Sequence, residues 1–134
     1  MGVATGNYAS GSIINVTAIG NDEAFTRGST SNDVTLKNNL YLGSGAFTTA
    51  SGWNASSDYN ASSDTTAPGA NSLQNRTTAD VVDYAGEDYR TASASALATA
   101  GDGVNADYIG FDLEVASGGI TLTVDSGNYL LTGV

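Results

Sequence analysis

A chain of 134 residues with 40% hydrophobic and 13% charged side chains fits one domain, able to bury about two-thirds of its unfolded surface. Its 14 carboxylates face only Arg27, Lys37, Arg76 and Arg90, and a formal net charge of −10 excludes tracking a nucleic-acid backbone or seeking an anionic membrane. There is no cysteine and no histidine, which excludes disulfides, thiol chemistry, the usual zinc sites and every Ser-His-Asp or Cys-His mechanism.

Met1 to Ser12 is glycine-rich and polar, with no charged-then-apolar leader, so no signal peptide is visible there. From Ser12 to Gly20 the residues alternate, placing Ile13, Asn15, Thr17 and Ile19 on one face of a strand. The segment 21–32 reads as a polar turn with Phe25 as its apolar anchor. From Asp33 to Gly43 a second strand puts Leu36, Asn38, Leu40 and Leu42 on one face. Asn15, Asn38 and Asn60 recur 23 and 22 residues apart, and Ile13/Leu36, Ile19/Leu42 and Gly20/Gly43 keep the offset of 23. A fixed period in the low twenties is the signature of stacked coils, each burying an apolar stripe against its neighbours. Stacked asparagines would then hydrogen-bond along the axis of the stack.

The third repeat keeps Asn60 but replaces the aliphatic partners. The echo of Asn54–Asp58 in Asn60–Asp64 carries no assigned role, and the sequons at Asn15, Asn54, Asn60 and Asn75 are expected by chance in such a composition. Asn75 to Ala100 is the most helix-compatible stretch and predicts a short helical turn. Asp107 to Val115 alternates as a half-buried strand, with Ile109, Phe111, Leu113 and Val115 on its apolar side. Ile120 to Val134 reads as two short strands around a turn at Asp125–Asn128, and the chain stops on an apolar strand as if a domain were cut short. No apolar run is long enough to span a membrane.

Asn38-Asn39-Leu40-Tyr41, followed by Tyr59 to Gly69, resembles the last coils of right-handed parallel β-helix proteins, the pectin-lyase-like solenoids. Asp88-Tyr89-Arg90 through Ser95, then Gly101 and Asp107-Tyr108-Ile109-Gly110, resembles the element that closes such domains. The chain departs from that pattern at Thr91, where leucine is usual, and at Ala96, where proline is usual. Ile120 to Gly133 looks like the opening strands of a small β-sandwich repeat frequent in bacteriophage structural and tail proteins. The resemblance implies an all-β chain: residues 1–116 as terminal β-helix coils with their cap, and 117–134 as a trailing strand pair. The same strand content also fits an antiparallel β-sandwich. The resemblance further implies an extracellular or virion-surface setting, a structural or adhesive role, and self-association into homo-oligomers.

Three kinds of site follow from the residues. Trp53, Tyr59 and Tyr41 lie near Asn54, Asp58 and Asn60, aromatics beside amides and a carboxylate, as a saccharide-stacking platform for cell-surface polysaccharide requires. The alternative is that these aromatics only cover the flank of the coils. Asp102, Asn105 and Asp107 are oxygen ligands at short spacing that calcium would accept, but they lack a distal bidentate glutamate and equally form a turn. A polysaccharide-cleaving enzyme needs two carboxylates about 5–5.5 Å or 6.5–9.5 Å apart, and neither Asp58 with Asp64 nor Asp33 with Asp58 is singled out by spacing. No catalytic residue and no cofactor is assigned.

Overall fold

The computed structural model describes residues 3–5, 11–20, 22–27, 34–49, 52–111, 121–125 and 128–132. It is all-β, made of short strands in small sheets, with no α-helix among the described residues. Three of the sheets are parallel. β1 (Val3–Thr5) pairs with β4 (Phe25–Arg27), and β2 (Gly11–Ile14) pairs with β5 (Val34–Lys37). β3 (Thr17–Ile19) pairs with β6 (Leu40–Leu42), which pairs in turn with β7 (Ala61–Ser62). Ile13 faces Leu36 and Ile19 faces Leu42, the offset anticipated from the sequence. Two sheets are antiparallel hairpins: β8 (Val81–Asp83) with β9 (Asp88–Thr91), and β10 (Thr121–Asp125) with β11 (Asn128–Thr132). The boundary anticipated near residue 116 lies outside the described residues.

The expected long strands are each broken in two. Asn15 (φ 56°) and Asn38 (φ 55°) adopt the left-handed conformation, which asparagine tolerates better than other side-chain-bearing residues. Each turns the chain between two strands. Leu36 therefore does not share a face with Leu40 and Leu42. It joins Phe25, Val34, Tyr41 and Phe47 in one apolar cluster, while Leu40 and Leu42 join Val81, Leu97 and Ile109 in another. Phe25 is fully buried with its ring 4.7 Å from that of Phe47, as an anchor should be, but it opens strand β4 rather than a turn.

The expected stack of Asn15, Asn38 and Asn60 slips by one residue at its third level. Lys37 bridges to Asp58 and Leu40 pairs with Ala61, so Asn38 lies level with Tyr59 (φ 56°) and Asn60 lies level with Asn39. The step shortens from 23 to 21 residues.

The helix-compatible stretch yields two 3₁₀ turns, Thr78–Asp80 and Ala96–Thr99, each capped by a hydroxyl, Thr77 and Ser95. The strand expected from Asp107 does not form over 107–111. Gly110 (φ 110°) donates its N–H to the Asn38 carbonyl, and Phe111 N donates to Thr17 Oγ1, so the ladder groups are spent irregularly. Ile109 is buried as predicted, whereas Phe111 is 58% exposed. Leu113 and Val115 lie outside the described residues.

Candidate functional site

The polar interior is a ladder of side chains that replace backbone bonds at the corner where strands cannot pair. Val16 N donates to Asn39 Oδ1 at 3.0 Å, Asn39 N donates to Asn60 Oδ1 at 3.1 Å, and Asn60 N donates to Ser72 Oγ at 2.9 Å. The amide nitrogens reach back to the preceding level: Asn39 Nδ2 donates to the Ile13 carbonyl and Asn60 Nδ2 to the Leu36 carbonyl, both at 2.9 Å. Asn39 and Asn60 are fully buried with both ends of each amide engaged, as buried polar groups require. Asn60, expected on a saccharide platform, is therefore an interior strut.

The other platform residues have partners of their own as well. Asp58 accepts from Tyr59 N, Asn71 N and Asn71 Nδ2 at 2.9, 2.8 and 2.7 Å. Burial pushes its carboxyl up, but these donors and Lys37 outweigh that and hold it below its ordinary value. Gly69 packs so tightly on Asp58 that an added Cβ would lie 2.3 Å from Oδ1. Tyr59 lies under the Lys37 ammonium, which sits 5.4 Å from its ring centroid. Tyr41 is fully buried, its hydroxyl accepting from Gly45 N at 2.9 Å.

Trp53 is the platform residue that stands at an opening. It lines a groove of about 350 Å³ with Thr48, Gly52, Asn54, Ala55, Ser57, Thr66, Pro68 and Gly69. Its indole packs on the Phe25–Phe47 cluster, and Nε1–H donates to Thr48 Oγ1 at 3.2 Å, fixing the ring. Asn54 Oδ1 is used by Ser56 N, while its amide nitrogen has no partner among the described residues. The groove thus offers a half-buried, immobilised aromatic edge with hydroxyls and an amide beside it. Aromatic Trp53 and its Asn54 neighbour were legible in the sequence; Thr48, Thr66 and Pro68 arrive from neighbouring levels and carried no local signal.

The oxygen-rich loop folds onto Asn38. Asn38 Nδ2 donates to Asp102 Oδ1 at 3.0 Å, and Asp102 N donates back to Asn38 Oδ1 at 3.1 Å. Asp102 also accepts from Val104 N, Asn105 N and Asn105 Nδ2, and its Oδ2 lies 3.6 Å from Lys37 Nζ. Burial raises its carboxyl, but the Asn105 and Asn38 donors dominate and hold it far below the usual carboxylate range. The candidate calcium ligands Asp102 and Asn105 are thus bonded to each other in a turn. Asp107 is exposed, and its carbonyl accepts from Gly101 N. Among the described residues, no group of three acidic, histidine or cysteine side chains gathers to hold a metal ion.

Asp80 forms a second polar node. It accepts from Arg76 Nε at 3.0 Å, Arg76 Nη2 at 2.8 Å, Thr77 N at 3.0 Å and the Ser95 hydroxyl. Beside it, a second groove of about 430 Å³ is lined by Gly20, Leu42, Gly43, Ser44, Ser63, Arg76, Thr77, Thr78 and Tyr84, none of which touches the Trp53 groove. Among the described residues no helix is long and apolar enough to cross a membrane.

No family model, curated protein or solved structure matches this chain.

Proposed function

We propose that the chain is a few coils of a right-handed parallel β-helix, closed by the segment around 88–112 and followed by a strand pair. On this reading it serves as a non-enzymatic structural or adhesive module of a phage particle or bacterial cell surface, with cell-surface polysaccharide as its ligand. The parallel registers that join successive levels at nearly constant offset support the coil reading. The interior amides add to it, because they tie each level to the one before and leave a rigid frame.

The observation that carries the adhesive reading is the Trp53 groove. An indole held by Thr48 presents its unburied edge among Asn54, Ser57 and Thr66, matching the apolar face and hydroxyl rim of a sugar ring. The net charge of −10 favours neutral over acidic glycans.

A glycan array probed with the labelled chain tests this. Binding to a restricted set of glycans is expected, with Trp53→Ala weakening it about tenfold or more, as loss of an aromatic anchor does. Silence across a broad array, or full binding by Trp53→Ala, overturns the adhesive reading. Release of new reducing ends or unsaturated uronates from mixed polysaccharides would move the assignment to a polysaccharide-cleaving enzyme. Light scattering reads self-association in the same samples.

A further inference from the structure

We infer that the groove between Arg76 and Tyr84 is a second, independent saccharide site, selective for uncharged sugar rings. Its walls are fixed before any ligand arrives. The Tyr84 ring, 36% exposed, stands edge-on to Tyr89 at 5.8 Å between centroids. The Arg76 guanidinium is clamped by Nε and Nη2 onto Asp80, which is itself held by Thr77 N and the Ser95 hydroxyl. That clamp leaves the Nη1 donors of Arg76 without a partner among the described residues, as are the hydroxyls of Ser44, Thr78 and Tyr84.

The floor is equally specific in shape. Gly20 N donates to the Leu42 carbonyl at 2.8 Å, stacking Gly20 beside Gly43, and Ser63 Oγ both accepts from Gly43 N and donates to its carbonyl. Gly20 (φ 68°) leaves open space where a flat ring would lie, whereas the missing side chain of Gly43 makes room for the buried Tyr41 hydroxyl beneath.

Charge decides the ligand class. Among the described residues that line the groove the only cation, Arg76, is neutralised by a bidentate carboxylate, in a chain of net charge −10, so an anionic ligand meets no uncompensated positive charge there. What the groove offers is an aromatic face, several unused hydrogen-bond donors and open space over Gly20. That combination fits a neutral pyranose, whose C–H face stacks on Tyr84 while its hydroxyls take the Arg76, Ser44 and Thr78 groups. The site does not depend on the Trp53 groove, since the two share no residue.

Titration calorimetry with methyl glucoside, methyl galactoside and methyl mannoside, and with glucuronate as the anionic comparator, tests it. At least one neutral glycoside is expected to bind with a Kd of about 1 mM or tighter. Tyr84→Ala should weaken that binding about tenfold or more, and Ser44→Trp, which fills the groove, should abolish it. Trp53→Ala should change it by no more than about twofold, which separates this site from the other groove. Circular dichroism and the urea midpoint of each variant report whether the fold is retained. Binding by no neutral glycoside, binding that persists in both groove variants, or tighter binding of glucuronate each overturns the inference.

Discussion

Asn39 and Asn60 stand in for a neighbouring backbone: each accepts from a backbone N–H and donates to a backbone carbonyl on the preceding level. Such a residue cannot be trimmed cheaply, because the groups it satisfied stay buried. Asn60→Ala strips the acceptor from Asn39 N, while Asn39 Nδ2 and the Leu36 carbonyl each lose one bond but keep Ile13 O and Asp58 N. A buried polar group left unpaired costs about 1–3 kcal/mol, so we expect a loss of that order from the orphaned Asn39 N–H. Urea unfolding of the variant should show a clearly lower midpoint with an unchanged slope. A midpoint equal to wild type would mean that Asn60 is not a strut. Asn60 was visible in the sequence through its spacing. Its role was not, because Asn38 and Asn39 are adjacent and period counting alone cannot tell which of the two continues the ladder.

Strands β2 and β5 end at left-handed corners, and two corners of nearly equal φ do different work. Asn15 (φ 56°) and Asn38 (φ 55°) both break a run that alternation alone reads as one strand. Asn38 also clamps the 102–110 segment through Asp102 and Gly110, whereas Asn15 Oδ1 is buried with no partner among the described residues. Glycine adopts this conformation freely. Asn15→Gly is therefore expected within about 0.5 kcal/mol of wild type, or more stable, while Asn38→Gly should lose about 1–3 kcal/mol, because Asp102 N loses its acceptor and Asp102 Oδ1 one of its donors. Thermal or urea midpoints of the pair decide it, and equal effects would remove the distinction between the corners. At this scale the pairing of Ile13 with Leu36 and of Ile19 with Leu42 was legible, because apolar alternation and offset agree. The corners were not, since alternation continues through an asparagine whose left-handed backbone turns the chain. The irregular 107–111 was hidden for a similar reason. Its alternation is that of a strand, but Gly110 and Phe111 spend their N–H groups on Asn38 and Thr17, 72 and 94 residues away by the numbering.

Across the whole molecule the carboxylates act as ties as well as surface charge. Asp58 holds Asn71, Asp80 joins Arg76 to Ser95, and Asp102 latches the 102–110 segment to Asn38. In each, burial raises the carboxyl, while hydrogen bonds to the ionised form more than compensate and leave it below the ordinary value of 3.8. A carboxyl so held takes up its proton later than the unfolded chain does as pH falls. Its contribution to stability is then complete above the ordinary value and drains away as pH drops from there through the depressed values. Net charge works the other way: protonation relieves the self-repulsion of a chain at −10, and added salt relieves it without touching bonded carboxylates at contact distance. Two separable signatures follow. At pH 7, raising salt should increase the urea midpoint. Between about pH 5 and pH 2 the midpoint should fall, in low and high salt alike, with the steepest loss below the ordinary carboxylate value. Asp102→Asn should start from a lower midpoint at pH 7 and fall less steeply in acid, because the most depressed of the three carboxyls has been removed. A midpoint that rises on acidification would mean that repulsion, not the tied carboxylates, governs this fold.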